Sequence, residues 1–172
     1  VYVLPEPGRH YTVGVDSAKG TLKGDRTSFS VLNDFTGEQV ATIRGPYRPD
    51  VTTTLSYKLL MFYNEGFGVP EANGLGAAVS EGLEKTYHYP NLFRHAPDKP
   101  VGYNMTGTRK MELFAKVSAG LVAKSLIPND RQTIRELQAM RVTKGLQGIG
   151  APEGEHDDCA TSFELSTVNR VE

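Results

Sequence analysis

Hydrophobic and polar positions alternate in the first part of the chain and predict β-strands. In YTVGVD, at residues 11–16, the apolar side chains occupy the odd positions, so an extended chain would have one apolar face and would end in a carboxylate, Asp16. Residues 28–33 and 39–45 are further β-rich runs, and the turn between them contains Gly37, which suits a left-handed backbone. Together these segments predict a meander of three strands.

Apolar residues then recur at helical spacing in five segments, with two short strand candidates among them. The strand candidates cover residues 67–71 and 91–95. The helices are expected to begin at or near Asp50, Leu75, Thr108, Asn129 and His156. We expect Asp50 to cap the first helix, and Asn129 with Gln132 to form a capping box. In the third helix the predicted apolar stripe consists of Met111, Phe114, Ala115, Ser118, Leu121 and Val122.

The order β-β-β-α-β-α-β followed by helices predicts an α/β fold. Consecutive meandering strands pair antiparallel, whereas strands joined by helices pair parallel. The expected architecture is therefore a mixed β-sheet, a three-strand antiparallel meander plus parallel strands, with helices on both faces. Residues 1–10, which contain two prolines and a glycine, are predicted to be a linker or lead-in segment, and residues 11–172 a single domain.

Composition narrows the classes of protein. The 172 residues are 38% hydrophobic and 23% charged, as in ordinary globular domains. No apolar run approaches the roughly 18–20 residues of a membrane span, so no membrane partner is expected. A single cysteine, Cys159, excludes an internal disulfide, and the four scattered histidines do not have the spacing of zinc ligands. A reducing cytoplasm is the expected compartment.

The net charge of −1 conceals an uneven distribution. Residues 94–144 contain ten basic and four acidic residues, whereas residues 145–172 contain one basic and six acidic residues. A basic segment beside an acidic one suits a surface that binds a polyanion next to a carboxylate cluster. A solvated, lysine-rich helix surface would give the same pattern.

Four carboxylates stand at the ends of predicted elements. Asp16 closes the first strand, Glu71 closes the fourth, and Asp157 and Asp158 open the last helix. Oxygen ligands that converge on one edge of a sheet can hold two divalent ions for phosphodiester cleavage. At 100° per residue, Asp157 lies about 110° and Asp158 about 150° from the apolar side of the helix, so Asp157 is better aimed toward the sheet. Taken singly, each acid could instead be a turn, surface or helix-capping residue.

An ordered set of strings covers nearly the whole chain and resembles one family. The strings are YTVGVDSAKG, GDRTSFSVLN, FTGEQVATIRGPYRP, YNEGFGVPEANGLG, TYHYPNLFRH, VGYNMTGTRKMELF and EHDDCA. They resemble the motifs of the nuclease domain of viral DNA-packaging terminase large subunits, from tailed phages, in the RNase H-like superfamily.

The resemblance implies a metal-dependent endonuclease that cuts concatemeric viral DNA during genome packaging. Asp16, Glu71, Asp157 and Asp158 would be its catalytic, metal-binding residues, with two divalent cations, Mg²⁺ or Mn²⁺. The implied partners are double-stranded DNA, the ATPase motor domain of the same protein, the portal and the small terminase subunit, and the implied location is the host-cell cytoplasm during virion assembly. The sequence contains no GxxxxGK[ST] loop, so we expect the motor domain to precede Val1 and this chain not to hydrolyse ATP.

The position before Glu71 departs from the family pattern. Pro70 stands where a strand residue is usual, and proline removes a ladder donor. Either the strand ends before Pro70, or a bulge presents Glu71.

Several residues outside the four carboxylates have more than one possible role. Arg109 and Lys110 begin a helix and could bind DNA phosphates or be solvated cations. Asp25 could be an outer metal ligand but better suits a turn, His156 could lie in the core or support the site, and Cys159 is expected to be a core residue. The glycine-rich residues 145–154 are predicted to form a mobile loop that controls how Asp157 engages metal.

Two rival functions remain at this stage. A Holliday-junction resolvase or recombinase-like nuclease of the same fold would share the carboxylates but cut branched DNA. A non-catalytic module that docks on the portal or capsid would use the acids only to cap its elements.

Overall fold

The computed structural model describes residues 1–21, 26–142, 149–152 and 154–170. The first three strands are β1 (Tyr11–Asp16), β2 (Thr27–Asn33) and β3 (Gln39–Gly45). They are followed by α1 (Pro49–Phe62), β4 (Phe67–Pro70), α2 (Gly76–Glu81) and a π-helical turn over Gly82–Thr86. The later elements are α3 (Gly107–Val122), α4 (Arg131–Ala139), β5 (Arg141–Val142), β6 (Ile149–Gly150) and α5 (Asp158–Ser166).

The main sheet has the strand order β3-β2-β1-β4. The β1–β2 and β2–β3 pairs are antiparallel, and β4 adds in parallel to β1. Gly37 adopts a φ of 74° in the turn between β2 and β3, as its position predicted. The predicted mixed sheet is confirmed.

The two faces of the sheet carry different side chains because successive residues of a strand point to opposite faces. Tyr11, Val13 and Val15 belong to a core cluster that includes Leu59 and Leu60 of α1. The opposite face packs against α5 and contains small and polar residues. There the Ser28 and Ser162 hydroxyls are 2.9 Å apart, and the side chains of Ser30 and Ser166 also meet.

Gly14 allows α5 to approach β1 closely. A methyl group at this position would overlap the backbone of Ser162 and Ser166 and the side chain of Leu165. Helices therefore cover both faces, with α5 pressed onto the face to which Gly14 and Asp16 belong.

The structure corrects three helix starts. Asp130, and not Asn129, caps α4, since its carboxylate accepts the Thr133 N–H at 2.8 Å. Arg48 is the N-cap residue of α1, and Asp50 lies in the first turn, where it pairs with Arg48 at 2.9 Å. Helix α3 begins at Gly107, after the cap residue Thr106.

The predicted stripe of α3 is rotated from the buried face. The buried residues of this helix are Leu113, Val117 and Gly120, whereas Met111 and Val122 are exposed. Phe114 and Leu121 are only partly buried and pack against a core cluster from the side. The predicted stripe differs from the buried face because α3 contacts both α5 and β6. Its apolar surface is therefore wider than a single stripe.

Two other expectations concern a predicted strand and a predicted loop. Residues 91–95 do not form a strand; Leu92 makes one parallel bridge to Gly68, and Arg94 one antiparallel bridge to Val101. Of the predicted loop at 145–154, residues 145–148 and 153 lie outside the described residues, and Ile149–Gly150 pairs with Arg141–Val142. The mobility assigned to this loop stays a prediction.

The first ten residues lie against the domain. The N–H groups of Tyr2 and Val3 donate to the Val40 carbonyl at 2.8 and 3.1 Å. The Tyr63 hydroxyl donates to the Val3 carbonyl at 3.0 Å.

Among the described residues, no helix is long and apolar enough to cross a membrane.

Candidate functional site

Two carboxylates stand side by side at the ends of neighbouring parallel strands. Asp16 is the last residue of β1, and Glu71 directly follows β4. The strands are in a register that pairs Val15 with Pro70, and the Glu71 N–H donates to the Val15 carbonyl at 2.9 Å. The placement predicted from the sequence for both acids is confirmed.

Pro70 is accommodated because its missing N–H falls on the outer edge of β4. Gly68, two residues earlier, makes its backbone hydrogen bonds to Asn91 and Phe93, away from β1. Pro70 faces the same way, and its carbonyl accepts the Tyr103 N–H at 2.8 Å. The strand continues through Pro70 and ends there, so Glu71 is the first residue beyond it. The proline therefore does not break the ladder between β1 and β4.

Strand alternation aims both carboxylates at α5. Asp16 shares its face with Gly14, which contacts α5. Glu71 shares its face with Val69, which packs against Leu165 of α5 and Leu113 of α3. The two acids therefore point to the side of the sheet where the last helix begins.

Helix α5 brings the third and fourth carboxylates to this edge. Asp157 is its N-cap residue and Asp158 its first residue. All four acids line one open cavity of about 670 Å³. The other residues that line it include Lys19, Thr21, Asn73, Lys110, Glu155, His156 and Thr161.

The two aspartates of α5 have different partners. Asp157 accepts a hydrogen bond from the Lys110 ammonium at 2.6 Å. The side chain of Asp158 is 7% exposed, and its Oδ2 accepts from the Arg26 N–H at 3.0 Å and from Arg44 at 3.3 Å. Asp158, and not Asp157, is thus turned toward β2 and β3, contrary to the expectation from helix geometry. The reason is that Asp157 has φ −126° and ψ 19°, outside the helix, where 100° per residue does not apply.

A buried glutamate fixes the start of α5. The carboxylate of Glu136 accepts the N–H groups of Cys159 and Ala160 at 2.7 and 3.0 Å, and these are donors that a first helical turn leaves free. Arg44 lies 3.8 Å from Glu136 and 3.3 Å from Asp158, so it joins the two carboxylates. This support was not predicted from the sequence, where its one signal is a charged residue beside Leu137 on the buried side of α4.

Burial and mutual charge change the acidity of the strand-end pair. Burial raises the pKa of Asp16 well above its usual value, and the neighbouring charge of Glu71 raises it further. Burial also raises the pKa of Glu71, against the lowering effect of its hydrogen bond with Asp16 and of Lys110. Two carboxyl groups that are close enough to form a hydrogen bond with each other coexist by sharing a proton or a cation.

The donor set fits hard divalent cations. Carboxylate oxygens are the preferred ligands of such ions, and a cation would relieve the repulsion between Asp16 and Glu71. In the part of the chain that the structure describes, no three His, Cys, Asp or Glu side chains yet form a metal-binding group. Asp157 is paired with Lys110 and Asp158 with Arg44, so both aspartates already have a cationic partner.

The remaining candidates lie in different settings. Arg109 is half-buried at the start of α3, and its guanidinium donates to the Asn104 carbonyl at 3.0 Å. Lys110 lies inside the cavity. His156 lines it, whereas Asp25 falls outside the described residues. Cys159 is a buried core residue, and burial raises the pKa of its thiol to about 12, which does not suit a nucleophile.

Comparison with known proteins identifies structural neighbours. No family model matches the sequence, and no curated protein does. The large terminase nuclease from thermophilic phage G20c with bound magnesium has a TM-score of 0.78 and 22% identity, and the alignment covers 98% of this chain and 85% of that one. Its cobalt-bound form has a TM-score of 0.80 and 21% identity, with the same coverage. The large terminase nuclease domain of Thermus phage P74-26 has a TM-score of 0.76 and 21% identity, and the alignment covers 98% of this chain and 83% of that one.

These neighbours confirm at the level of the fold the resemblance read from the sequence. The alignment spans almost the whole chain, so it includes the sheet, α5 and the edge at which the four carboxylates meet. The chain has the RNase H-like fold of phage large-terminase nuclease domains.

Proposed function

We propose that this protein is a metal-dependent endonuclease that cuts viral DNA during genome packaging. The observation that carries the proposal is the pairing of Asp16 with Glu71 at the ends of two parallel strands, opposite Asp157 and Asp158. The solved structures described above that resemble this chain are phage large terminase nucleases, and two of them contain magnesium or cobalt. The DNA substrate, the motor domain, the portal and the small terminase subunit come to this chain as proposals from that likeness, as does activity in the host-cell cytoplasm.

The four carboxylates together would bind two divalent cations, Mg²⁺ or Mn²⁺. Bound cations of this kind supply a water of lowered pKa as nucleophile and stabilise the leaving oxygen. Asp16 and Glu71, placed at the ends of adjacent strands, would be ligands. Asp157 is the better third ligand because Oδ2 of Asp158 already accepts from Arg26 and Arg44. Asp158 would complete the set from the side of β2.

Removal of metal should abolish the activity. We expect the protein to nick or degrade plasmid DNA with Mn²⁺ or Mg²⁺ and to be inactive in excess EDTA, because no nucleophile other than metal-activated water is evident at neutral pH. Agarose-gel assays of supercoiled plasmid measure this. Full cleavage in EDTA would contradict the proposed mechanism. Cleavage of linear DNA and of a four-way junction, measured side by side, separates the two nuclease hypotheses, since a resolvase would prefer the junction. A docking module would cut neither substrate.

Arg109 is the proposed phosphate contact beside the cavity. Arg109→Glu should weaken DNA binding about equally on unrelated sequences and should reduce the slope of log K against log salt by roughly 1, as expected for the loss of one phosphate contact. Fluorescence anisotropy at several salt concentrations measures both quantities. Lys58→Glu is the matched control, because Lys58 is exposed on α1, which covers the opposite face of the sheet. Equal affinities for the two variants would remove Arg109 from the DNA-binding surface.

A further inference from the structure

Glu164 is a buried carboxyl group with no assigned role. Glu164 lies within α5 and is 0% exposed. Among the described residues, neither of its side-chain oxygens has a hydrogen-bond partner. A buried polar group that makes no hydrogen bond costs about 1–3 kcal/mol of stability, so its presence calls for a compensating role.

The position of Glu164 relates it to the carboxylate cavity. It follows Thr161 by three residues within α5, so the two side chains lie on one side of the helix. Thr161 lines the cavity, as Lys110 does. Side chains in a helix tilt toward its N-terminus, so Glu164 extends back toward Asp157.

Lys110 is the cation that faces both acids. Its ammonium group bonds Asp157, and its side chain is 20% exposed. Charge interactions also link it to Glu164: each raises or lowers the pKa of the other in the sense expected of an ion pair. Burial nevertheless raises the pKa of Glu164 to about 8. Lys110 therefore donates a hydrogen bond to Asp157 and also interacts electrostatically with Glu164.

A divalent cation in the cavity would disturb the contact between Lys110 and Asp157. The carboxylate of Asp157 would turn to the metal, and the metal would repel the ammonium group. A buried ammonium group without an acceptor is costly, and it would oppose metal binding unless another acceptor received it. A carboxyl oxygen of Glu164 can accept an N–H of Lys110 whether the carboxyl is ionised or neutral.

We propose that Lys110 is a positioning residue that exchanges Asp157 for Glu164 when a divalent cation enters the cavity. In the structure Lys110 neutralises Asp157 through their hydrogen bond. In the metal-bound protein Glu164 receives Lys110, and Asp157 is released to the metal. This inference rests on the proposed function, since it needs Asp157 to be a ligand.

The exchange predicts opposite effects of two substitutions on metal affinity. Glu164→Gln leaves a weaker acceptor for Lys110, so Mn²⁺ binding should weaken by roughly tenfold, the lower range for a lost hydrogen bond to a charged group. Lys110→Met removes the competitor for Asp157, so Mn²⁺ binding should tighten. In the double variant the effect of Glu164→Gln should vanish, because no ammonium group is left to receive. Isothermal titration calorimetry with MnCl₂ measures all four affinities, and thermal melts check folding.

Matched controls lie on the same helix as Lys110. Glu112→Gln removes an exposed negative charge two residues away, and Lys116→Met removes an ammonium group that donates to the Thr167 and Arg170 carbonyls. Neither change should alter Mn²⁺ affinity. Crystals soaked with MnCl₂ give a direct readout, since Nζ of Lys110 should then lie within hydrogen-bond distance of Glu164.

The outcomes separate the exchange from the proposed function. A wild-type protein that binds no Mn²⁺ and cuts no DNA would overturn both. A wild-type protein that binds Mn²⁺ and cuts DNA, with unchanged affinity in Glu164→Gln or equal losses in the presence and absence of Lys110, would overturn the exchange alone. A purely structural Glu164 would change the melting temperature without the coupling to Lys110.

Discussion

Asp16→Asn is expected to abolish cleavage and to leave the protein folded. Asp16 is the strand-end acid that closes β1, and burial together with the charge of Glu71 raises its pKa. Loss of a proposed metal ligand should remove several kcal/mol of transition-state stabilisation, which is roughly a thousandfold or more in rate. The melting temperature should stay equal or rise, because the change removes one of two crowded acids and an amide can still donate to Glu71. Plasmid cleavage and thermal melts test the two parts.

Asp34→Asn provides the matched control at the other end of the same strands. Asp34 is half-buried, burial raises its pKa as well, and it accepts the Thr12 hydroxyl at 2.8 Å. It directly follows β2, at the end of the β1–β2 pair opposite to Asp16, so its replacement should leave cleavage unchanged. If Asp16→Asn lowers the melting temperature and keeps activity, Asp16 is a structural turn residue and the proposed site is wrong.

The sheet could be predicted because its signals are local. Alternation in residues 11–16 placed Asp16 on the face opposite the apolar side chains, and Gly37 marked the hairpin. The chain order then predicted that β1 and β4 are parallel neighbours. The strands and the turn have local signals, and the pairing of β1 with β4, although distant in the sequence, follows from the order of the elements.

The supporting contacts of the site could not be predicted in the same way. The pairs Lys110–Asp157, Arg44–Asp158 and Glu136 with the start of α5 join residues that are far apart in the sequence. No periodicity specifies such contacts, since they depend on how α3 and α4 pack around α5. The prediction about the direction of Asp157 was wrong for a related reason, because it assumed helical geometry at a residue that precedes the helix.

The contact between Gly14 and α5 connects the packing of the domain with the geometry of its site. The aspartates begin the helix whose middle and end press on Gly14, so the distance between α5 and β1 determines how far Asp157 and Asp158 lie from Asp16. Glu136 and Arg44 hold the same helix at its start. The position of α5 is therefore set at two points, one of which is a backbone contact that tolerates no side chain.

Gly14→Ala should therefore impair both stability and metal binding. A methyl group would overlap the backbone of Ser162 and Ser166, and backbone cannot move aside as a flexible side chain can. Overpacking costs about 1–3 kcal/mol, and each kcal/mol lowers the melting temperature by roughly 2–4 °C in a domain of this size. Displacement of α5 would also draw its aspartates from Asp16, so Mn²⁺ affinity and cleavage should fall at temperatures well below the melting transition.

Gly8→Asn is the control for the glycine change. A Cβ atom at Gly8 meets nothing within 4 Å, and asparagine tolerates the φ of 75° better than most residues. This variant should keep its melting temperature, its Mn²⁺ affinity and its cleavage rate. Calorimetry and plasmid assays on both variants at a temperature where each is folded decide the question. If Gly14→Ala melts earlier and yet binds Mn²⁺ and cuts DNA like the wild type, then the α5–β1 contact stabilises the fold without setting the geometry of the carboxylates.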